Sequence, residues 1–182
     1  MRKILVVVDM QKDFIDGSLG TQEAQAIVGP VEEKMKSFRK ADIYMTRDTH
    51  GEDYLETSEG KKLPVAHCIK GTEGWKLHPG LEALAEPSHI IDKPTFGSLE
   101  LMETLSRENQ KEPLEIELAG LCTDICVVSN ALLLKAAMPE CIIRVDPSCC
   151  AGVTPESHQA ALKTMEMCQV EEMWVEKLWI RN

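Results

Sequence analysis

Apolar residues fall along the chain in short uninterrupted runs, separated by stretches with helical spacing. The first run, Ile4–Val8, is wholly aliphatic, which predicts a strand buried on both faces. Further strands are predicted at Ile43–Thr46, His89–Asp92, Leu114–Ala119 and Cys141–Val145, with a sixth at Met173–Val175. Between the first two, Ile27, Val28, Val31, Met35 and Phe38 recur at helical spacing, with Pro30 suited to a first turn. A helix over Leu99–Leu105 would carry Leu99, Met102 and Leu105 inward. One over Thr123–Ala137 would bury Val127, Val128, Ala131, Leu132 and Leu134, and one over Pro155–Cys168 would bury Ala160, Ala161, Met165 and Cys168. This alternation predicts an α/β fold: one domain spanning residues 1–182, in three α/β/α layers around a Rossmann-like parallel sheet of about six strands. The range Asp48–Pro79 shows neither periodicity and reads as a long functional loop.

Composition narrows the classes. Of 182 residues, 43% are hydrophobic and 27% charged, a globular mixture, and the formal net charge of -10 disfavours nucleic acid and anionic membranes as partners. The basic start is followed by only Ile4–Val8 before Asp9, too short for a secretion signal, and no run reaches transmembrane length. A cytoplasmic location is expected. Seven cysteines, an odd number without a zinc-type C-x2-C pair, then read mainly as buried small hydrophobes. No G-x-G-x-x-G or G-x-x-x-x-G-K-[ST] is present, so the layout alone gives no nucleotide site.

Ligands of open α/β sheets bind beyond the carboxyl ends of the strands. Asp9 follows the first predicted strand, Lys93 the third, and Cys126 lies beyond the fourth at a helix start for which Thr123 is the expected N-cap. Singly these read as a turn residue, a solvated lysine and a packing cysteine. Together they form a nucleophilic set. The helix dipole would favour a thiolate at Cys126, and Asp9 could take the thiol proton and return it to a leaving amine. Lys93 would stabilise both anions. Backbone N–H groups at Cys126 and an upstream residue would receive the oxyanion of an acyl transfer that passes through a thioester.

Three segments carry a family resemblance. Val8-Asp9-Met10-Gln11-Lys12-Asp13-Phe14, Lys93-Pro94-Thr95-Phe96-Gly97-Ser98 and Gly120-Leu121-Cys122-Thr123-Asp124-Ile125-Cys126-Val127 resemble, in this order, the opening motif, lysine loop and nucleophile segment of the nicotinamidase and isochorismatase-like cysteine hydrolases. The resemblance implies Asp9 as general acid/base, Lys93 as supporting cation and Cys126 as nucleophile. It also implies a cis peptide at Leu121–Cys122 and the N–H groups of Cys122 and Cys126 as oxyanion donors, while the helix-start placement of Cys126 leaves the Cys122 thiol to be read as structural. Phe14 and Leu121 are the expected substrate-contacting residues.

Asp48 and His50 are two apart, so on an extended segment they point the same way, and His67 follows in Pro64-Val65-Ala66-His67-Cys68. An Asp and two His suit a divalent metal with open positions, although a polar loop would show the same pattern. Metal-binding nicotinamidases use this D-x-H with a later His to hold the substrate's pyridine nitrogen. The resemblance therefore implies a metal, zinc first with manganese or iron as alternatives, and leaves open whether Glu56 or Glu59 adds a ligand. His78, His89 and His158 are expected to be structural or exposed. Many relatives have Trp-Pro-Pro before the metal histidine, where this chain has Pro64-Val65-Ala66, so Tyr54 or Trp75 would have to replace the lost stacking face.

The expected activity is hydrolysis of a small amide, nicotinamide to nicotinate and ammonia in the first instance. N-carbamoyl or ureido hydrolysis is the alternative on the same scaffold. Isochorismate hydrolysis is disfavoured because it needs no cysteine. From other classes, a redox thiol using Cys122 and Cys126 or a non-catalytic binding module stays open. A homo-oligomer is expected.

Overall fold

Strand β1, Arg2–Val8, runs through the middle of the molecule, with Ile4–Val8 fully buried. In this computed structural model, which describes residues 1–173, five further strands flank it. They are β2 (Ile43–Asp48), β3 (Ile90–Lys93), β4 (Leu114–Leu121), β5 (Ile142–Ala151) and the two-residue β6 (Glu171–Glu172). All pairings are parallel, in the order β3-β2-β1-β4-β5-β6. The six-stranded parallel expectation holds. The last strand starts before its predicted position, and residues 174 and 175 of that prediction lie outside the described residues.

The helices are α1 (Lys12–Ile15), α2 (Gln22–Ala26), α3 (Val28–Lys36), α4 (Pro79–Glu82), α5 (Leu99–Lys111), α6 (Val128–Ala137) and α7 (Pro155–Met167). Because strand side chains alternate between faces, β1 feeds two cores. Ile4, Val6 and Val8 pack with Leu101 and Leu105 of α5, Ala131 and Leu134 of α6, and Leu162 and Met165 of α7. Leu5 and Val7 pack with Ile15, Ala24, Val31, Met35 and Leu81 from α1 to α4. Three residues expected in the core are exposed, and Leu132 is only half-buried. Leu99 is 62% exposed, since α5 turns Leu101 inward instead, and Ala160 and Cys168 are exposed while Leu162 faces the sheet. Other expected positions, Val31, Met35, Leu105, Ala161 and Met165, are buried as the apolar spacing suggested. Among the described residues no helix is long and apolar enough to cross a membrane.

The chain builds outward from β1 to β3 on one side and from β4 to β6 on the other, so the order reverses between β1 and β4. That crevice is the switch point at which open α/β sheets bind ligands. Gly120 sits in it with φ +116°, and a Cβ there would stand 2.1 Å from the Val8 carbonyl oxygen. Only glycine allows the two strand ends to approach so closely.

Candidate active site

The carboxyl ends of β1, β3 and β4 bring the three chemical residues together. Asp9 leaves β1 in the left-handed region at φ +48°, a conformation that non-glycine residues adopt mainly at functional positions. Its N–H donates to the Thr46 carbonyl at 3.2 Å, and its Oδ1 accepts from the Thr46 hydroxyl at 2.7 Å. Lys93, the last residue of β3, is buried, and its ammonium lies 2.7 Å from Asp9 Oδ2 and 3.1 Å from Asp48 Oδ1. It also donates to the Thr95 carbonyl at 3.1 Å and to Cys126 Sγ at 3.4 Å.

Cys126 is buried in a π-helical turn, Thr123–Val127, rather than in the first turn of an α-helix. The Cys122 carbonyl accepts from both Ile125 N–H at 3.1 Å and Val127 N–H at 3.0 Å, the wide turn characteristic of π-bulges at functional sites. Thr123 does not cap it. Its hydroxyl is instead 2.7 Å from His158 Nδ1, which makes half-buried His158 a support for the turn. The Leu121–Cys122 peptide is cis.

The expectation of an acidic thiol is corrected. Burial pushes the Cys126 thiol well above its ordinary value, the Asp9 carboxylate pushes it further, and Lys93 only partly offsets them. Burial likewise raises the Asp9 carboxyl despite the Lys93 ammonium. The buried set of Asp9, Asp48, Lys93 and a neutral thiol already carries one net negative charge. Losing the thiol proton to water would add a second. Passing it to Asp9 keeps the total unchanged, so proton transfer inside the set is the favoured route to a thiolate. Cys122, also raised by burial to about 12, has no such acceptor arrangement.

Asp48, His50 and His67 offer ligand atoms within 4.8 Å of one another. These residues fit a metal. His67 Nδ1 is 2.8 Å from the Val65 carbonyl, which fixes the proton on that nitrogen and turns the Nε2 lone pair inward. His50 Nε2 stands 2.8 Å from Asp48 Oδ2 but at an angle that makes no hydrogen bond, so it is a buried polar atom without a partner. Burial opposes charge on His50, yet Asp48 outweighs it and holds the imidazole pKa above its ordinary value, the sign of a site that favours a cation. Glu59, 3.9 Å from both histidine Nε2 atoms, is the acid beside this group, whereas Glu56 is exposed and takes no part. Gln11 braces the site by donating to the Asp48 carbonyl at 2.8 Å and accepting from Asp48 N–H at 2.7 Å.

A cavity of about 160 Å³ opens onto both groups. Asp48, Glu59, His67 and Cys126 line it together with apolar Phe14, Leu19, Leu63, Phe96, Leu121, Ile125 and Val153. Phe14 and Leu121 are placed as expected; Tyr54 and Trp75 are not. Tyr54 is buried behind the metal histidines with its ring centroid 4.7 Å from His50 and 4.9 Å from His67, and Trp75 lies under the Arg47 guanidinium. Phe96 supplies the second aromatic wall, a role hidden in sequence because it follows Lys93 in an irregular loop. A larger cleft of about 630 Å³ lies near the amino end of β1, but most of its charges are held in ion pairs, including Lys34 with Glu117 at 3.0 Å and Arg2 with Asp42, and its lining holds no cysteine or histidine.

Comparison with known proteins agrees with this layout. The Isochorismatase domain family model matches residues 3–174. The nicotinamidase/pyrazinamidase of Mycobacterium tuberculosis is 26% identical, over 93% of this chain and 97% of that one. Among solved structures, the nicotinamidase/pyrazinamidase of Bacillus subtilis superposes with a TM-score of 0.80 at 25% identity, covering 96% of this chain and 100% of the other. The pyrazinamidase of Pyrococcus horikoshii in complex with zinc shares the fold, with a TM-score of 0.76 at 24% identity over 95% and 99% of the two chains.

Proposed function

Because the chain belongs to the isochorismatase family, we propose that it is an amidohydrolase that cleaves the C–N bond of a small uncharged amide, nicotinamide first, through a thioester on Cys126. The observation that carries this reading is the convergence of Cys126, Lys93 and Asp9, with an adjacent metal-fitting group, on one small apolar cavity. At about 160 Å³ the cavity is well below the roughly 300–1,000 Å³ of sites for drug-sized ligands, and it suits a single ring. No Lys or Arg is among the described residues that line it.

In this reading Asp9 accepts the Cys126 proton as sulfur attacks the amide carbon. The N–H groups of Cys122 and Cys126 receive the oxyanion. Asp9 then protonates the departing ammonia and, in the second half, takes a proton from the water that opens the thioester. Lys93 keeps Asp9 ionised between transfers and lowers the cost of the thiolate. Phe14 and Phe96 bracket the ring. A divalent ion, zinc first, held by Asp48, His50 and His67, would act as a Lewis acid toward the ring nitrogen and orient the amide. We further propose that the chain acts as one domain, over nearly all of which the family model runs, in the cytoplasm and as a homo-oligomer.

The test is ammonia release from nicotinamide, pyrazinamide and a ureido panel, using metal-loaded protein and Cys126→Ala. Nicotinamide turnover that disappears in the variant and on chelation supports the reading. Turnover of ureido compounds alone moves the substrate class. Turnover of none, with Cys126 still open to alkylation, overturns it.

A further inference from the structure

Asn130 lies one turn into the helical segment beyond Cys126, and it is 1% exposed. Asparagine is a poor helix former, and an apolar residue at that buried position would cost less to desolvate. Its amide is nevertheless fully employed. Nδ2 donates to the Cys126 carbonyl at 2.8 Å and to the Phe96 carbonyl at 3.1 Å, and Oδ1 accepts from Ser98 N–H at 2.9 Å. None of these partners is distant scaffold. One is the carbonyl of the nucleophile residue itself, in a π-turn whose widened ladder leaves carbonyls in need of donors. The other two belong to the loop 93–98, which holds Lys93 at one end and the α5 N-cap Ser98 at the other. Between these ends, Thr95 supplies the carbonyl that accepts a hydrogen bond from the Lys93 ammonium, and Phe96 forms a cavity wall.

We infer that Asn130 is a positioning residue that clasps the lysine loop to the nucleophile turn, and so sets both the Lys93–Cys126 contact and the Phe96 wall. The inference rests on the reading of Cys126 as nucleophile, but the clasp itself is a geometric property of the resting protein. Gly97 shows how closely the two parts are packed, since a Cβ there would lie 3.5 Å from the Leu133 side chain and 3.6 Å from the Ser129 carbonyl oxygen of α6. With the clasp removed, the Cys126 carbonyl and the Ser98 N–H each lose a buried partner and the Phe96 carbonyl a part-buried one, and the loop shifts to hydrate them. Lys93 would then lose the alignment of its Thr95 acceptor, and Phe96 would leave the ring's plane of contact.

Two variants of the metal-loaded protein separate the clasp from simple stability. Asn130→Ala removes all three bonds. Asn130→Thr keeps a hydroxyl able to bond the carbonyl four residues back, that of Cys126, but is too short to reach the loop. The measurements are the rate constant for alkylation of Cys126 by iodoacetamide, read on its own peptide, and KM and kcat for nicotinamide. Both are made at a temperature where circular dichroism shows every variant folded. The clasp predicts alkylation about tenfold slower and KM raised about threefold or more in both variants, since small misplacements of reacting groups carry penalties of that order and larger. A merely structural Asn130 would lower the melting temperature and leave KM and the alkylation rate of folded protein unchanged. If Asn130→Ala fails to fold, Asn130→Thr decides alone. Wild-type alkylation and KM in Asn130→Thr would overturn the inference. If wild-type protein does not turn over nicotinamide, the amidase reading fails separately and the alkylation comparison still decides the clasp.

Discussion

Asp9, Lys93 and Cys126 share one proton and one cation in a buried set at the floor of the cavity, so each substitution there has a distinct signature. Asp9→Asn keeps the shape but cannot accept the thiol proton. Its kcat should fall by roughly 10²–10⁴, the usual worth of a general base, while substrate affinity measured by calorimetry stays near wild type. Lys93→Ala leaves Asp9 and Asp48 facing each other without a cation. Breaking a buried pair in this way should cost about 3–5 kcal/mol in urea unfolding. The sign with pH follows. Burial already raises the Asp9 carboxyl against the pull of Lys93, so without the cation Asp9 holds its proton to still higher pH in the folded state than in the unfolded chain, and stability is greater at acid pH and is lost as pH rises. The deficit of Lys93→Ala against wild type should therefore shrink toward acid, and a deficit constant with pH would contradict the pairing. The reacting residues were legible in sequence because their motifs are local and ordered. The state of the thiol was not. Helix-start placement suggested an acidic cysteine, but complete burial beside a carboxylate dominates, and burial is a tertiary property.

At the scale of elements, α7 carries a capping box in which Thr154 Oγ1 accepts from Ser157 N–H and Ser157 Oγ accepts from Thr154 N–H. Thr154→Ala should cost about 1 kcal/mol of stability and leave turnover of folded protein unchanged. Gly120→Ala should affect both. A Cβ at that positive φ collides with the Val8 carbonyl, so β1 and β4 must part, at a cost of about 1–3 kcal/mol, and Asp9 moves with the end of β1. Thermal melts with parallel ammonia assays distinguish the two cases. The aliphatic runs revealed most strands because parallel sheets bury both strand faces. The π-turn at Thr123–Val127 was not legible, since its apolar spacing matches an α-helix. The roles of Phe96 and Glu59 were hidden for a related reason, as loops have no periodicity from which to read direction.

Across the whole molecule, two kinds of charge set the response to conditions. Burial alone would raise Asp42 and Asp146. Hydrogen bonds from Arg39 and Arg2 on the first, and from Lys34 and Ser148 on the second, outweigh it and hold both below their ordinary values. Their contribution is fully present above the ordinary carboxylate pKa and is lost as pH falls through the lowered one. Asp146→Asn should therefore flatten the acid limb of a stability–pH curve, and an unchanged limb would assign that limb to other carboxylates. Chelation should remove activity and lower the melting temperature together, with both restored by added zinc. A ligand at about a hundred times its Kd stabilises by about 2.7 kcal/mol. The placement of β1 also bears on how the protein is made. Its partners are the early strand β2 and the late strand β4, which begins at Leu114. A ribosome adding about 5–20 residues per second needs several seconds or longer to reach β4, and during that time one edge of the most hydrophobic strand stays unpaired. Newly made chains are thus exposed to aggregation throughout synthesis, and their yield should depend on translation speed and chaperone supply more than the stability of the finished enzyme would suggest.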